Sequence, residues 1–212
     1  MARSRFHNLD PARREAILAA AGEEFAERGY AATAISRVLE RADLSKGSLY
    51  YYFEDKADLF ATVVGAAVQR LLAEAGGFDP SSLTRAGYWD AIRQFGEQSL
   101  GMMGEETWYA RIAAAFPRLR DEPEAVEAVK PALEWGRRWT REILSRGQEL
   151  GVVRQDLPLE LLVEITMAMD EAADRWLAEH AQDYDEEELR RVMYARMDVL
   201  RDSLDAEHEG WA

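Results

Sequence analysis

Apolar residues recur at helical spacing along nearly the whole chain, and this pattern limits the possible fold more than any other feature. Ile17, Ala21 and Phe25 are spaced four residues apart, as the buried face of one helix requires. No segment alternates apolar and polar residues for long enough to predict a strand. The sequence therefore predicts an all-α protein.

Residues that cap and end helices divide the first 55 positions into three short helices. The Asp10-Pro11 pair is typical of a helix start, and Gly29 is typical of a helix end. Thr33 is the predicted N-cap of a second helix, the Asp43-Leu44 pair turns the chain, and Ser45 is the predicted cap of a third helix. Three helices joined by turns this short indicate a helix-turn-helix motif.

The rest of the chain predicts longer helices. A fourth helix begins near Asp55, and the glycine- and serine-rich stretch 76–82 follows it as a linker. Two long helices close the sequence, from about Pro158 and from Asp185, where Glu188 completes a pattern resembling a capping box. Their apolar stripes favour pairing with a second copy of the chain in a four-helix interface.

The charge of the chain is acidic but unevenly distributed. A net charge of −14, from 26 Lys and Arg against 40 Asp and Glu, argues by itself against a nucleic-acid partner. Residues 1–60, however, carry a net charge of only −1, and two of the three lysines, Lys46 and Lys56, lie there. No cysteine is present, and no apolar run is long enough to span a membrane or follows Arg3 and Arg5 as a signal peptide would. We therefore expect a cytoplasmic protein.

The stretch from Ser45 to Lys56 carries the residues best suited to contact phosphate groups. Leu49 and Phe53 are four residues apart and are predicted to face the core, which leaves residues 45–48 in the first turn of the helix. Unpaired N–H groups and the positive end of the helix dipole favour an anion there. Lys46 adds charge, and Gly47 permits a close approach of the backbone because it has no Cβ.

This stretch closely resembles the DNA-binding motif of TetR-type transcriptional regulators. The family's reading helix has the pattern Ser-Lys-Gly-(Ser/Thr)-Leu-Tyr-x-(His/Tyr)-Phe followed by a lysine, and residues 45–56 match it. The resemblance covers residues 11–64, and the segment 151–158 also looks like the one that precedes the penultimate helix of many members. Two positions depart from the pattern, because Leu39 replaces a small alanine and Asp43 replaces the usual turn glycine.

The resemblance implies a helix-turn-helix DNA-binding domain at residues 1–55 and a helical ligand-binding and dimerisation domain at residues 56–212. It implies a homodimer that binds double-stranded DNA until a ligand in the C-terminal domain releases it. With the apolar stripes of the last two helices and the aromatic residues described below, we expect a repressor that is joined through those helices, binds a palindromic operator and is released by a small apolar or aromatic effector. The implied DNA contacts, carried over position by position, are Thr33, Ser36, Ser45, Lys46, Gly47, Ser48, Tyr50, Tyr51, Tyr52 and Lys56.

Large aromatic and methionine side chains are frequent after residue 80, where they either form a packed core or line a cavity for the effector. Asp170 lies beside the apolar stripe of its helix and either faces a cationic ligand or belongs to a solvated surface. The candidate ligand residues are Trp89, Met102, Trp108, Trp135, Trp139, Met169, Asp170 and Trp176.

Three further questions concern enzyme activity, the role of the C-terminal half and the role of the N-terminal arginines. The three histidines, His7, His180 and His208, form no metal-binding or catalytic spacing, and phosphate-binding and nucleophile motifs are absent, so no enzyme activity, metal or cofactor is predicted. The C-terminal half is alternatively a dimerisation or protein-interaction platform without a small ligand. Arg3 and Arg5 either reach a minor groove or belong to a disordered tail.

Overall fold

The computed structural model describes residues 3–74, 76–103 and 106–206. Within these ranges the description does not extend to a small set of side chains, which are those of Lys46, Ser48, Leu49, Leu100, Met102, Met103, Ala178, Ala181 and Glu186. The predicted DNA contacts of Lys46 and Ser48 and the predicted ligand contact of Met102 therefore lie outside the described side chains.

The described residues form ten α-helices and no strand, which confirms the predicted fold class. The helices are α1 (Ser4–His7), α2 (Pro11–Ala32), α3 (Ile35–Arg41), α4 (Lys46–Tyr52), α5 (Lys56–Glu74), α6 (Tyr88–Met103), α7 (Trp108–Arg120), α8 (Val126–Leu150), α9 (Leu159–His180) and α10 (Glu186–Leu204). Short 3-10 turns occupy Pro80–Ser82, Pro123–Ala125 and Ala181–Asp183. Within the described ranges, no helix is both long and apolar enough for a membrane span.

The helix starts that the sequence marks most clearly are confirmed. At α2 the Asp10 carboxylate accepts hydrogen bonds from the N–H groups of Ala12, at 3.0 Å, and Arg13, at 3.3 Å. At α10 Asp185 and Glu188 form a reciprocal capping box, in which each side chain accepts from the other residue's backbone N–H. These caps pair donors that a helix end leaves without intrahelical partners.

Helix α2 is interrupted at Gly29, where the sequence predicts a helix end. Thr33, however, does not cap the next helix. Gly29 has φ 85° and ψ 171°, a conformation that is essentially restricted to glycine. The N-cap position of α3 is Ala34 rather than Thr33. The Thr33 hydroxyl instead donates to the Gly29 carbonyl oxygen at 2.6 Å, with the Glu24 carbonyl oxygen at 3.2 Å. The predicted N-cap is therefore wrong, because this hydroxyl closes the preceding break.

The chain divides into two compact units, each formed by two stretches of sequence. The first comprises Met1–Gly77 and Ser99–Leu133, and the second comprises Phe78–Gln98 and Glu134–Ala212. The predicted boundary at residue 55 falls between α4 and α5, inside the first unit. The assignment of DNA binding to residues 1–55 and of ligand binding to residues 56–212 stays a prediction.

Each unit has its own apolar core. In the first unit α2, α5 and α7 pack together around fully buried Phe25 and Phe60, whose rings lie 4.7 Å apart. In the second unit Tyr88 is completely buried, and its hydroxyl donates to the Ile143 carbonyl oxygen at 3.0 Å. Burial raises the pKa of the Tyr88 phenol, because the interior disfavours the phenolate.

Candidate nucleic-acid interface

The turn between α3 and α4 is built by one residue in the left-handed conformation. Asp43 has φ 50°, and the Leu44 N–H donates to the Leu39 carbonyl oxygen at 2.8 Å. Aspartate tolerates this conformation better than most side chains, and the predicted turn at the Asp43-Leu44 pair is confirmed. The Arg13 guanidinium donates to the Asp43 carbonyl oxygen at 2.6 Å and so ties the turn to the start of α2.

The face of α3 and α4 that points away from the core is exposed. Ser36 on α3 is exposed, as are Ser45 and Gly47 at the start of α4. Tyr50 is 59% exposed and Tyr51 is 49% exposed. A Cβ built on Gly47 meets nothing within 4 Å, so the backbone of α4 is open to close approach at this point. This face presents hydroxyl groups and two aromatic rings for contact with a ligand.

Tyr52 differs from its two neighbours because its side chain is half-buried. Its ring lies edge-on to Phe6 at 6.4 Å and to Tyr51 at 5.1 Å, measured between ring centres. The ring therefore supports α1 and the exposed tyrosine beside it. A DNA contact by Tyr52 itself stays a prediction.

Thr33 is buried in the turn before α3. The residue is 4% exposed, and its hydroxyl is hydrogen-bonded to the carbonyl oxygen of Gly29. This bond stabilises the turn. A phosphate contact by Thr33 stays a prediction.

Lys56 lies at the first position of α5, where its ammonium group is held by the turn after Gly29. Nζ donates to the Ala31 carbonyl oxygen at 3.0 Å and lies 4.6 Å from the centre of the Tyr30 ring. Burial lowers the pKa of Lys56, while the carboxylates of Glu122 and Glu124 act in the opposite direction. An ammonium group has three donors, so the bond to Ala31 leaves two for a phosphate.

Arg118 in the last turn of α7 and Glu122 just after that helix complete the broken end of α2, and sequence reasoning missed both. The Glu122 carboxylate accepts from the N–H groups of Tyr30 at 2.9 Å and Ala31 at 2.7 Å. Arg118 donates to the Ala26 carbonyl oxygen at 2.7 Å. These bonds pair backbone groups that the break at Gly29 leaves without helical partners. No local signal could have identified residues that lie about ninety positions away.

The buried carboxylate of Glu24 pairs with three arginines of the first unit. Glu24 is 1% exposed, and its oxygens lie 3.0 Å from Arg28, 3.7 Å from Arg37 and 3.5 Å from Arg41. Because Arg37 and Arg41 belong to α3, these pairs hold that helix on α2. A hydrogen bond from Arg41 also holds the pKa of the Glu27 carboxyl below its usual value.

Among the predicted ligand residues, Trp108 and Asp170 have structural partners. Trp108 is 7% exposed in the core of the first unit, and its indole N–H donates to Glu15 at 2.8 Å. Asp170 accepts from Arg196 of α10 at 2.5 Å, which joins α9 to α10. Trp108 therefore packs between helices, and the Asp170 charge is paired with Arg196. A ligand contact by either residue stays a prediction.

The other predicted ligand residues with described side chains lie half-buried in the second unit. Trp135 and Trp139 stack with their ring centres 5.9 Å apart, and Trp176 stacks on His180 at 4.9 Å. Trp89 lies edge-on to Tyr88 at 4.9 Å, and the sulfur of Met169 lies 3.8 Å from the Ser203 hydroxyl. A ligand contact by these residues stays a prediction.

A cavity of about 380 Å³ in the second unit is lined by residues other than the predicted ligand residues. Its walls are Gly151, residues 153–156 and residues 205–206, and none of the predicted ligand residues is among them. Arg154 is held there by Asp156, with their side chains 2.6 Å apart. The geometry of this cavity therefore gives no support to the predicted aromatic lining.

The architecture of the described residues defines a class of protein. It is an α-helical protein with an N-terminal helix-turn-helix motif whose second helix, α4, presents exposed tyrosines. The family model for "Bacterial regulatory proteins, tetR family" matches residues 17–63, which include α3 and α4.

Comparison with known proteins extends the likeness beyond this motif. The chain is 26% identical over 188 residues to the HTH-type transcriptional repressor Rv1474c of Mycobacterium tuberculosis, covering 86% of this chain and 89% of that protein. It is 36% identical over 69 residues to the repressor BepR of Brucella suis, a match that covers 31% of this chain and 33% of that protein.

Solved structures show the same fold over nearly the full length. SmeT, described as the repressor of the Stenotrophomonas maltophilia multidrug efflux pump SmeDEF, aligns with a TM-score of 0.71 at 17% identity. That alignment covers 95% of this chain and 93% of SmeT. The family-model match over α3 and α4, the repressor relatives and the shared fold together support a TetR-type transcriptional regulator.

Proposed function

We propose that the protein is a dimeric repressor that binds a palindromic operator through α3 and α4 and is released by a small effector. The observation that supports DNA binding by this surface is the exposed face of α4, which includes Tyr50, Tyr51 and the open backbone at Gly47. The relatives Rv1474c and BepR are both described as repressors, which supports repression.

In this proposal α4 lies in the major groove and its neighbours hold the phosphates. Tyr51 and Lys56 contact the backbone of the duplex, and Ser36, Ser45, Lys46, Ser48 and Tyr50 contact phosphates or base edges. The exposed backbone at Gly47 permits α4 to approach the DNA closely. Two copies of α4 read two half-sites of the operator, which gives a short helix its specificity.

We expect Lys46→Ala and Lys56→Ala each to weaken operator binding and to reduce its dependence on salt. Each lysine neutralises one phosphate in each half-site, so the dimer loses two contacts and the slope of log affinity against log salt should become shallower by about 1.8 in each variant. The measurement is a mobility shift at several salt concentrations, using duplex DNA that flanks the protein's own gene. Unchanged slopes in both variants would contradict the assignment of these contacts.

The proposed dimer uses apolar side chains that a single protomer leaves uncovered. On α9 Leu161 is 44% exposed, and on α10 Val199 is 57% exposed. In the proposed dimer these side chains are covered by the partner, and two helices from each copy form a four-helix interface.

We expect the double variant Leu161→Asp and Val199→Asp to be monomeric and to lose most of its operator affinity. Two buried charges without partners oppose association, and a monomer contacts only one half-site. Sedimentation velocity measures the oligomeric state, and the mobility shift measures affinity. Val126→Asp is the matched control, because Val126 is 51% exposed on α8. A double variant that remains dimeric would contradict the proposed interface.

The proposed effector is apolar or aromatic and binds in the second unit, where Trp135 and Trp139 are half-buried. Effector binding shifts α5 and changes the separation of the two α4 helices, so that both no longer fit one operator. Only a ligand that prefers the state with the altered separation can release DNA in this way. Release of operator DNA in a compound screen supports this proposal, and a C-terminal region without any ligand remains the alternative.

A further inference from the structure

The N-terminal residues form part of the first unit's core and are not a free tail. Residues Ser4–His7 form α1, and the Phe6 side chain is 1% exposed. Its ring lies 4.8 Å from that of Phe53, which directly follows α4 and is fully buried. A buried aromatic ring of this size contributes a large apolar area to the core. The disordered tail that the sequence left open as one alternative is therefore wrong for residues 3–7.

The anchor at Phe6 places two arginines beside the exposed tyrosines of α4. The Arg3 backbone N–H donates to the Tyr52 carbonyl oxygen, and its guanidinium donates to the Tyr50 carbonyl oxygen, each at 2.9 Å. The Arg5 guanidinium lies 4.5 Å from the centre of the Tyr51 ring. Both arginines are exposed, so their remaining donors face solvent on the same side as Tyr50 and Tyr51.

These contacts fix the two guanidinium groups without neutralising their charge. Their partners are a carbonyl oxygen and an aromatic face, and no carboxylate in the described part of the chain pairs with either of them. Arg28, Arg37 and Arg41 behave differently, because all three lie close to the Glu24 carboxylate. In a chain with a net charge of −14, these two oriented cations bring positive charge to the side of α4 that carries Tyr50 and Tyr51.

We propose that Arg3 and Arg5 form a second backbone clamp of the DNA interface, in which each guanidinium contacts one phosphate next to the contact of Tyr51. This proposal rests on the proposed docking of α4. A guanidinium presents several donors in a planar fork that matches a phosphate group, and stacking on Tyr51 orients the fork of Arg5 before DNA arrives. Phe6 is the positioning residue of this clamp, because it holds α1 against the end of α4.

A purely structural role is the competing explanation. Arg3 donates to a carbonyl oxygen at the C-terminal half of α4, where cations stabilise a helix. Such a role predicts a loss of thermal stability and no change in the number of phosphates neutralised. The salt dependence of DNA binding separates the two explanations.

The test compares the wild-type protein with the double variant Arg3→Gln and Arg5→Gln, using duplex DNA that flanks the gene and an unrelated duplex of equal length. We expect the slope of log affinity against log salt to become shallower by about 3.6 on both duplexes, because each protomer of the dimer loses two phosphate contacts. Arg5→Lys keeps the charge and should keep most of the slope. The control is Arg93→Gln with Arg191→Gln, two exposed arginines that pair with carboxylates on their own helices.

An unchanged slope in the double variant overturns the clamp, and so does a loss confined to one of the two duplexes, since phosphate contacts carry no sequence information. If the double variant does not fold, Arg5→Glu repeats the test with the bonds of Arg3 intact, and an unchanged slope there again overturns the proposal. Wild-type protein that binds neither duplex contradicts the proposed function itself, which is a different result.

Discussion

Gly47→Glu should abolish operator binding without lowering the stability of the protein. A Cβ at this position meets nothing within 4 Å, so the new side chain extends into open space. Glutamate is a better helix former than glycine, and a carboxylate in the first turn of α4 is favourable beside the helix dipole. The melting temperature should therefore stay constant or rise.

The same side chain stands between α4 and the duplex in the proposed complex. It prevents the close approach that glycine allows and brings a negative charge to the phosphates. We expect binding at least about 100-fold weaker, which corresponds to about 2.8 kcal/mol. Mobility shifts report the affinity, and thermal unfolding followed by circular dichroism reports the stability.

Gly101→Glu is the matched control for this experiment. Gly101 is also an exposed helical glycine whose Cβ would meet nothing within 4 Å, but it lies on α6. This variant should bind the operator as the wild type does. Equal affinity of the Gly47→Glu and Gly101→Glu proteins would show that α4 does not approach DNA closely.

Gly29→Ala, unlike Gly47→Glu, should lower the stability of the first unit. The backbone conformation at Gly29, with φ 85° and ψ 171°, costs an alanine roughly 1–3 kcal/mol. Its Cβ would also lie 2.5 Å from Oε1 of Glu122, so the carboxylate must move from the N–H groups of Tyr30 and Ala31. We expect a loss of at least about 2 kcal/mol in the free energy of unfolding and weaker DNA binding, measured by urea denaturation and mobility shift.

Two further variants separate the contributions at this break. Glu122→Ala removes only the carboxylate, and should therefore be less destabilising than Gly29→Ala if backbone strain adds to the loss of the two hydrogen bonds. Gly65→Ala replaces a helical glycine of α5 whose Cβ meets nothing within 4 Å, and should stabilise by roughly 0.5–1 kcal/mol. A Gly29→Ala protein as stable as the wild type would contradict the role of this break.

The sequence predicted those features of the fold that depend on neighbouring residues. The caps at Asp10 and Asp185, the break at Gly29 and the turn at Asp43 are confirmed, because each is determined by side-chain and backbone chemistry within a few positions. Thr33 shows the limit of such signals. Its hydroxyl can cap the following helix or bond to the preceding turn, and the packing that buries it decides between the two.

The candidate site could be predicted only in part for the same reason. Four consecutive aromatic residues on a short helix cannot all be buried, and Tyr50 and Tyr51 are indeed exposed. The positions of Phe6, Lys56 and Glu122 depend on partners far along the chain, such as Phe53 for Phe6 and Tyr30 for Glu122. No pattern within one helix specifies such contacts.

The most direct test of the central claim, that the exposed face of α4 binds duplex DNA, is a salt titration of operator affinity. It compares the wild type with the double variant Tyr50→Ala and Tyr51→Ala, and uses Tyr184→Ala, which alters a tyrosine that is 38% exposed elsewhere, as the control. The account predicts salt-dependent binding by the wild type and the control, and binding at least about tenfold weaker by the double variant at an unchanged melting temperature. Equal affinity of all three proteins, or no binding of duplex DNA by the wild type, would contradict it.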